Sequence, residues 1–162
     1  MDDRMKLTLK AWPIIALATI ALCCVTTNLA DAAGWKLHSQ SSVVNILGIA
    51  GWNLRFLIVL GQVLILAPVL EEFLFRFLLW ELPSPGRRTV MAVESSLLFS
   101  AAHYLTMPWP DNAFAALFFF GMAQCWLYGK TKCIWHAVLN HALFNATNLV
   151  LLLALPKEFV VS

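Results

Sequence analysis

The chain has 162 residues, of which 60% are hydrophobic and only 12% are charged. Soluble domains are nearer about 45–50% apolar and about 25% charged, so this composition predicts an integral membrane protein rather than a soluble one. The net charge of +2 and the lack of a basic run or an RNA-binding motif argue against a nucleic-acid partner.

Apolar runs and the breaks between them predict an all-α, polytopic bundle of about five transmembrane helices. The first run, residues 11–30, follows a basic leader, and we favour a retained helix over a signal peptide, although Ala30-Asp31-Ala32 resembles a cleavage site. Four more helices are predicted at residues 54–79, 87–105, 112–128 and 133–155, with a short apolar piece at 43–50. Asp111 or Asn112 is the expected cap of the fourth helix. We therefore expect a single domain, 1–162, with a motif-bearing core at about 54–155 and helix 11–30 as an accessory.

Lysine and arginine residues between these helices predict an orientation. With the N-terminus in the cytoplasm, the cytoplasmic segments hold Arg4, Lys6, Lys10, Arg87, Arg88, Lys130 and Lys132, whereas the opposite side holds only Lys36 and Lys157. This bias favours an N-in, C-out topology, because positive charges are retained on the cytoplasmic side. Small size and the lack of eukaryotic targeting features favour the bacterial cytoplasmic membrane.

Three charges within the second predicted helix are the most informative feature of the sequence. Glu71, Glu72 and Arg76 lie in an otherwise apolar segment, and Pro68 predicts a kink one turn earlier. At the centre of a bilayer each charge costs about 2.5–3.5 kcal/mol, so the three must face a protein or water-filled interior. Glu72 and Arg76 have i,i+4 spacing and can form an ion pair. Glu71 lies about 100° away on the helix, so it is available for chemistry.

Further polar side chains on the third and fifth helices predict that this interior is a shared site. The third helix carries His103, and the fifth carries His136, Asn140, His141, Asn145 and Asn148. A lone histidine in a membrane usually makes an interhelical hydrogen bond. Here glutamates, an arginine, histidines and asparagines recur on three helices, which favours convergence on one polar pocket.

These residues resemble the CPBP family of CAAX proteases and bacteriocin-processing enzymes, also called Abi proteins, whose motifs are EExxxR, FxxxH and Hxxx(N/D). In this chain the motifs read Glu71-Glu72-Phe73-Leu74-Phe75-Arg76, Phe99 to His103, and His141 to Asn145. Two positions depart from the family pattern: Phe77 stands where glycine is common, and His136 where proline is common. His136 and Asn140 also satisfy the third motif's bare spacing, so the choice of His141 stays open at this point.

The resemblance implies an intramembrane endopeptidase in which Glu71 is the general base and His103 helps to hold the attacking water. It further implies that His141 and Asn145 donate hydrogen bonds to the oxyanion, and that Glu72 and Arg76 brace the site. The substrate would be a peptide or a membrane protein presented in the lipid bilayer. The sequence leaves the identity of that substrate and the oligomeric state open.

Alternatives exist for both the cofactor and the function. Zinc could be held by two carboxylates and two histidines, but HExxH is absent and Arg76 would oppose a dication, so we expect no cofactor. A non-catalytic bacteriocin-immunity or scaffolding protein would keep the same fold. A transporter or proton relay would also place carboxylates and histidines in a membrane, but paired half-repeats are lacking.

Overall fold

The computed structural model describes residues 2–35, 54–81, 85–103 and 113–154. All regular structure in these ranges is helical, which confirms the predicted all-α bundle of five helices. The helices are α1 (Asp3–Ala32), α2 (Leu54–Glu81), α3 (Arg88–Ala102), α4 (Phe114–Thr131) and α5 (Ile134–Ala154). By length and composition α1 and α2 can each cross a membrane. The apolar piece predicted at 43–50 lies outside the described residues.

Several helix boundaries differ from the predicted ones. The first helix begins at Asp3 rather than at residue 11, because the Asp2 side chain caps it by accepting from the Arg4 N–H at 3.3 Å. The third helix ends at Ala102, where the His103 N–H turns back to the Ser100 carbonyl.

The fourth helix differs from its prediction at both ends. Ala113 occupies its N-cap position, whereas the predicted caps, Asp111 and Asn112, lie outside the described residues. It runs on to Thr131, through part of the predicted turn. Lys132 then ends it in the left-handed conformation, with φ of 54°.

The five helices pack so that α2 lies beside both of the other helices that carry motif residues. α2 contacts α3 through residues 73–81 and α5 mainly through residues 62–72, and α3 packs closely on α4. At Gly121 an added Cβ would lie 2.9 Å from Cβ of Ser96, so α3 and α4 approach too closely there for any side chain. Phe99 and Phe120 fill the core behind this contact.

The first helix packs within the bundle. It lies against α4 and α5, and buries Thr8, Ala11, Ile15, Ala16 and Thr19. Trp12 donates from Nε1 to the Thr147 hydroxyl at 3.2 Å, and the Thr8 hydroxyl lies 2.9 Å from Nδ1 of His136. α1 therefore makes polar as well as apolar contacts with the helix that carries the third motif.

Where the sequence predicted a kink at Pro68, the structure has a π-helical turn, Gln62–Leu66, directly before the short α-helical segment Ala67–Glu72. The Val63 carbonyl has no backbone N–H of its own helix to accept from, because the Ala67 N–H donates to the Gln62 carbonyl and Pro68 has no N–H. The Asn145 amide of α5 donates to this carbonyl at 2.9 Å.

A second π-helical segment, Phe73–Glu81, follows the glutamates. Within it the Ser95 hydroxyl of α3 donates to the Phe75 carbonyl. The turn that carries Glu71 and Glu72 is thus held on both sides, by a side chain of α5 before it and by one of α3 after it. π-helical turns are rare in proteins, and those that occur often lie at functional sites.

Candidate active site

Glu72, Arg76 and His141 form the buried centre of the site. The carboxylate and the guanidinium are both 0% exposed, and Arg76 Nε lies 3.1 Å from Glu72 Oε2, as the i,i+4 spacing predicts. The second carboxylate oxygen, Oε1, lies 2.8 Å from Nδ1 of His141, whose side chain is 5% exposed. Glu72 therefore joins a cation on its own helix to an imidazole on α5.

Glu71 lies on the open side of this centre. Its side chain is 29% exposed, and its Oε2 lies 3.8 Å from Nε2 of His141. That oxygen is itself buried and has no hydrogen-bond partner among the described residues. A water about 2.8 Å from both Oε2 and Nε2 would fit this separation. One carboxylate is thus enclosed and paired, whereas the other reaches the surface beside the imidazole.

The Arg76 guanidinium is enclosed by aromatic rings. Its central carbon lies 4.4 Å from the ring centroid of Phe99 and 5.9 Å from that of Phe75. Within the described part of the chain none of its three nitrogens has a hydrogen-bond partner, so its charge is balanced by the Glu72 carboxylate and by the ring faces. Phe77, one of the two departures from the family pattern, stacks on the half-exposed Phe73, at 5.1 Å between ring centroids.

Phe99 links His103 to this centre. The His103 ring lies 4.9 Å from the Phe99 ring and its Nδ1 lies 2.9 Å from the Phe99 carbonyl oxygen. Phe99 also contacts His141, whose ring centroid lies 5.9 Å from that of Phe99. The structure thus brings Glu71, Glu72 and His141 into direct contact, and connects His103 to them through an aromatic ring.

Geometry distinguishes the two candidate histidines of the third motif. His136 faces α1. There the Thr8 hydroxyl donates its one hydrogen to the Arg4 carbonyl at 3.0 Å. Its oxygen is then left to accept from Nδ1 of His136, which lies 2.9 Å away. Asn140, its partner at the bare motif spacing, is fully buried. His141 is the histidine of α5 that faces both glutamates.

Asn145 lies one turn beyond His141, where its amide stabilises the π turn of α2 through the Val63 carbonyl. The sequence assigned no role to two supports of the site: Ser95, whose hydroxyl donates to the Phe75 carbonyl, and Thr8, whose hydroxyl contacts His136. Ser95 carried a signal, because a buried serine in a membrane helix needs an acceptor.

Glu71 and His141 are the facing candidates for metal ligands in the site. Zinc needs three or four protein ligands. Two donors face each other here, Glu71 Oε2 and His141 Nε2, whereas Glu72 is taken by Arg76 and by the other imidazole nitrogen. Within residues 2–35, 54–81, 85–103 and 113–154, no group of three His, Cys, Asp or Glu residues is arranged to hold a metal ion.

Fold and site together define a helical bundle with two helices long and apolar enough to cross a membrane and with a paired-carboxylate and histidine centre. The family model described as type II CAAX prenyl endopeptidase Rce1-like matches residues 52–147. This match covers more than half of the chain and spans all three motifs, so the chain belongs to the Rce1-like family of CAAX-type intramembrane endopeptidases. It confirms the resemblance to CAAX proteases. Searches of curated proteins and of solved structures gave no match.

Proposed function

We propose that this protein hydrolyses a peptide bond of a membrane-presented substrate, with Glu71 as the general base. The observation that carries the proposal is the contrast between two adjacent carboxylates. Glu72 is fully enclosed and tied to Arg76, whereas Glu71 is 29% exposed, and its Oε2, which has no hydrogen-bond partner within the described ranges, lies 3.8 Å from His141. A base must reach the proton that it removes, and Glu71 is the carboxylate with that access.

In the proposed reaction Glu71 accepts a proton from water while the water oxygen bonds to the carbonyl carbon of the substrate. The carbonyl oxygen becomes an oxyanion, the C–N bond then breaks, and the leaving amine takes up a proton. His103 is assigned to hold the water. His141 and Asn145 are assigned to the oxyanion, and the Asn145 amide has a second hydrogen besides the one donated to Val63.

We further propose that the reaction needs no metal ion. The placement of Arg76 supports this, because its cation lies beside Glu72 and so close to the carboxylates that a metal would require. The two facing donors also fall short of a zinc ligand set.

We propose that the chain is a multi-pass protein of the bacterial cytoplasmic membrane, with a single domain and with its N-terminus in the cytoplasm. Two helices long and apolar enough to span a membrane support it, as does the charge bias between the helices. We also propose that α1 is retained, because it packs on α4 and α5 and hydrogen-bonds to His136 and Thr147.

The test is a cleavage assay with purified protein in lipid nanodiscs. Farnesylated peptides ending in a CAAX sequence are the first probe, chosen from the family's name, with unprenylated peptides and a peptide library beside them. We expect cleavage that persists with a chelator and is lost in His103→Ala. Loss of cleavage on chelation would contradict the metal-free mechanism. If no peptide is cleaved by the folded protein, a non-catalytic scaffolding role replaces the enzyme.

A further inference from the structure

His141 contacts the two glutamates through different ring nitrogens. Nδ1 lies 2.8 Å from Glu72 Oε1, and Nε2 lies 3.8 Å from Glu71 Oε2. A neutral imidazole has one N–H donor and one lone-pair acceptor, and the partner of one nitrogen decides the state of the other. The arrangement around Glu72 therefore determines what Nε2 can do beside Glu71.

The contacts of Glu72 assign the proton. In its ion pair with Arg76 it is a carboxylate, which can only accept hydrogen bonds. Both side chains are 0% exposed, so bulk water does not compete for the contact. At 2.8 Å from this acceptor, Nδ1 of His141 must carry the hydrogen. The rings of Phe99 and Phe120, with centroids 5.9 Å and 5.0 Å from that of His141, keep the imidazole in this orientation.

We infer that the Glu72–Arg76 pair is a positioning device that fixes His141 in the Nδ1–H tautomer, so that Nε2 meets Glu71 as a proton acceptor. The inference rests on the proposed function and goes beyond it in one respect. Neutral His141 has no hydrogen on Nε2, so it is unable to stabilise an oxyanion until Nε2 gains a proton.

The proton that Nε2 needs is the one that Glu71 removes from water. After the water oxygen has bonded to the substrate carbon, protonated Glu71 passes this proton to Nε2, with the O–N distance shortening from 3.8 Å by about 1 Å. His141 becomes an imidazolium, stabilised by the Glu72 carboxylate at Nδ1. Nε2–H then donates to the oxyanion and finally gives the proton to the leaving amine. The Glu71 carboxylate and the neutral imidazole are restored, so no proton is gained or lost.

The tautomer is measurable by ¹⁵N NMR of histidine-labelled protein in lipid bicelles. The sequence has four histidines, so a His141→Gln variant assigns the signal, and a His136→Gln variant serves as a matched control that leaves it in place. We expect His141 in the wild type to show a protonated Nδ1 and an unprotonated Nε2 when neutral. A neutral His141 with its hydrogen on Nε2 would overturn the inference.

A Glu72→Gln variant tests the cause of this preference. Glutamine can donate as well as accept, so the Nδ1–H form should lose its dominance and the Nε2–H form should appear. An unchanged tautomer ratio in a folded variant would overturn the role of Glu72. The wild-type spectrum is decisive by itself if the variant fails to fold. If the wild-type protein cleaves peptides and its His141 is in the Nε2–H form, this inference is refuted and the proposed function stands. If His141 is in the Nδ1–H form and no peptide is cleaved, the proposed function is refuted instead.

Discussion

Two ion pairs, one within α2 and one between α2 and α3, have the same length and differ in burial, so the energetic role of the site can be tested within one chain. Arg76 lies 3.1 Å from Glu72, and both side chains are 0% exposed. Arg88 lies 3.1 Å from Glu81, with the two side chains 39% and 27% exposed. The same substitution, glutamate to glutamine, removes the anion from either pair while keeping the size of the side chain.

The buried position should be much more sensitive. Glu72→Gln leaves the Arg76 cation enclosed without a counter-charge, and removing one partner of a buried pair costs about 3–5 kcal/mol. Glu81→Gln leaves Arg88 in contact with solvent, and exposed pairs contribute about 0.2–1 kcal/mol. The expected gap of at least about 2 kcal/mol corresponds to more than tenfold in the unfolding equilibrium.

Unfolding of both variants can be followed by far-UV circular dichroism as SDS is titrated into detergent micelles. A double variant, Glu72→Gln with Arg76→Met, should be less destabilised than the two single changes together, because neither charge is then left alone. Equal losses for Glu72→Gln and Glu81→Gln would refute the reasoning, as would strict additivity in the double variant.

Three further predictions concern packing, the rival histidine and the π turn. Gly121→Ala should destabilise the fold by about 1–3 kcal/mol, because the added Cβ meets Ser96 at 2.9 Å, whereas Gly61→Ala, with nothing within 4 Å, should be neutral or slightly stabilising in the same titration. His136→Ala should keep most of the cleavage activity, and a loss comparable to that of His141→Ala would contradict the assignment of the motif. Asn145→Val should cost about 1–3 kcal/mol by leaving the π-turn carbonyl unpaired, which thermal unfolding measures; an unchanged midpoint would contradict that role.

The sequence was sufficient for the five helices and for the inner ion pair, because each depends on local spacing. Apolar runs bounded by proline, glycine and charge predict the helices, and an i,i+4 separation predicts the contact of Glu72 with Arg76. It was also sufficient to distinguish the two glutamates, since adjacent residues on a helix point in different directions.

Contacts between distant helices set the limit of prediction. Spacing alone left His136 and His141 equivalent, and the difference between them comes from Thr8, 128 residues away from His136. The π turn before Pro68 was expected only as a kink, because its stability depends on a side chain donated by α5. The first helix was predicted too short. Its first two turns are largely polar and so carry no apolar signal, although Asp2 caps them.

The central claim is that Glu71 is the base that activates water. Its most direct test is kcat for a cleaved peptide with Glu71→Gln, beside Glu94→Gln as a control at an exposed glutamate of α3. The account predicts that Glu71→Gln lowers kcat by at least about 10²-fold, since a positioned general base contributes about 10²–10⁴, while the free energy of unfolding stays near that of the wild type. Glu94→Gln should retain wild-type turnover. A folded Glu71→Gln variant that cleaves within about threefold of the wild-type rate would contradict the claim.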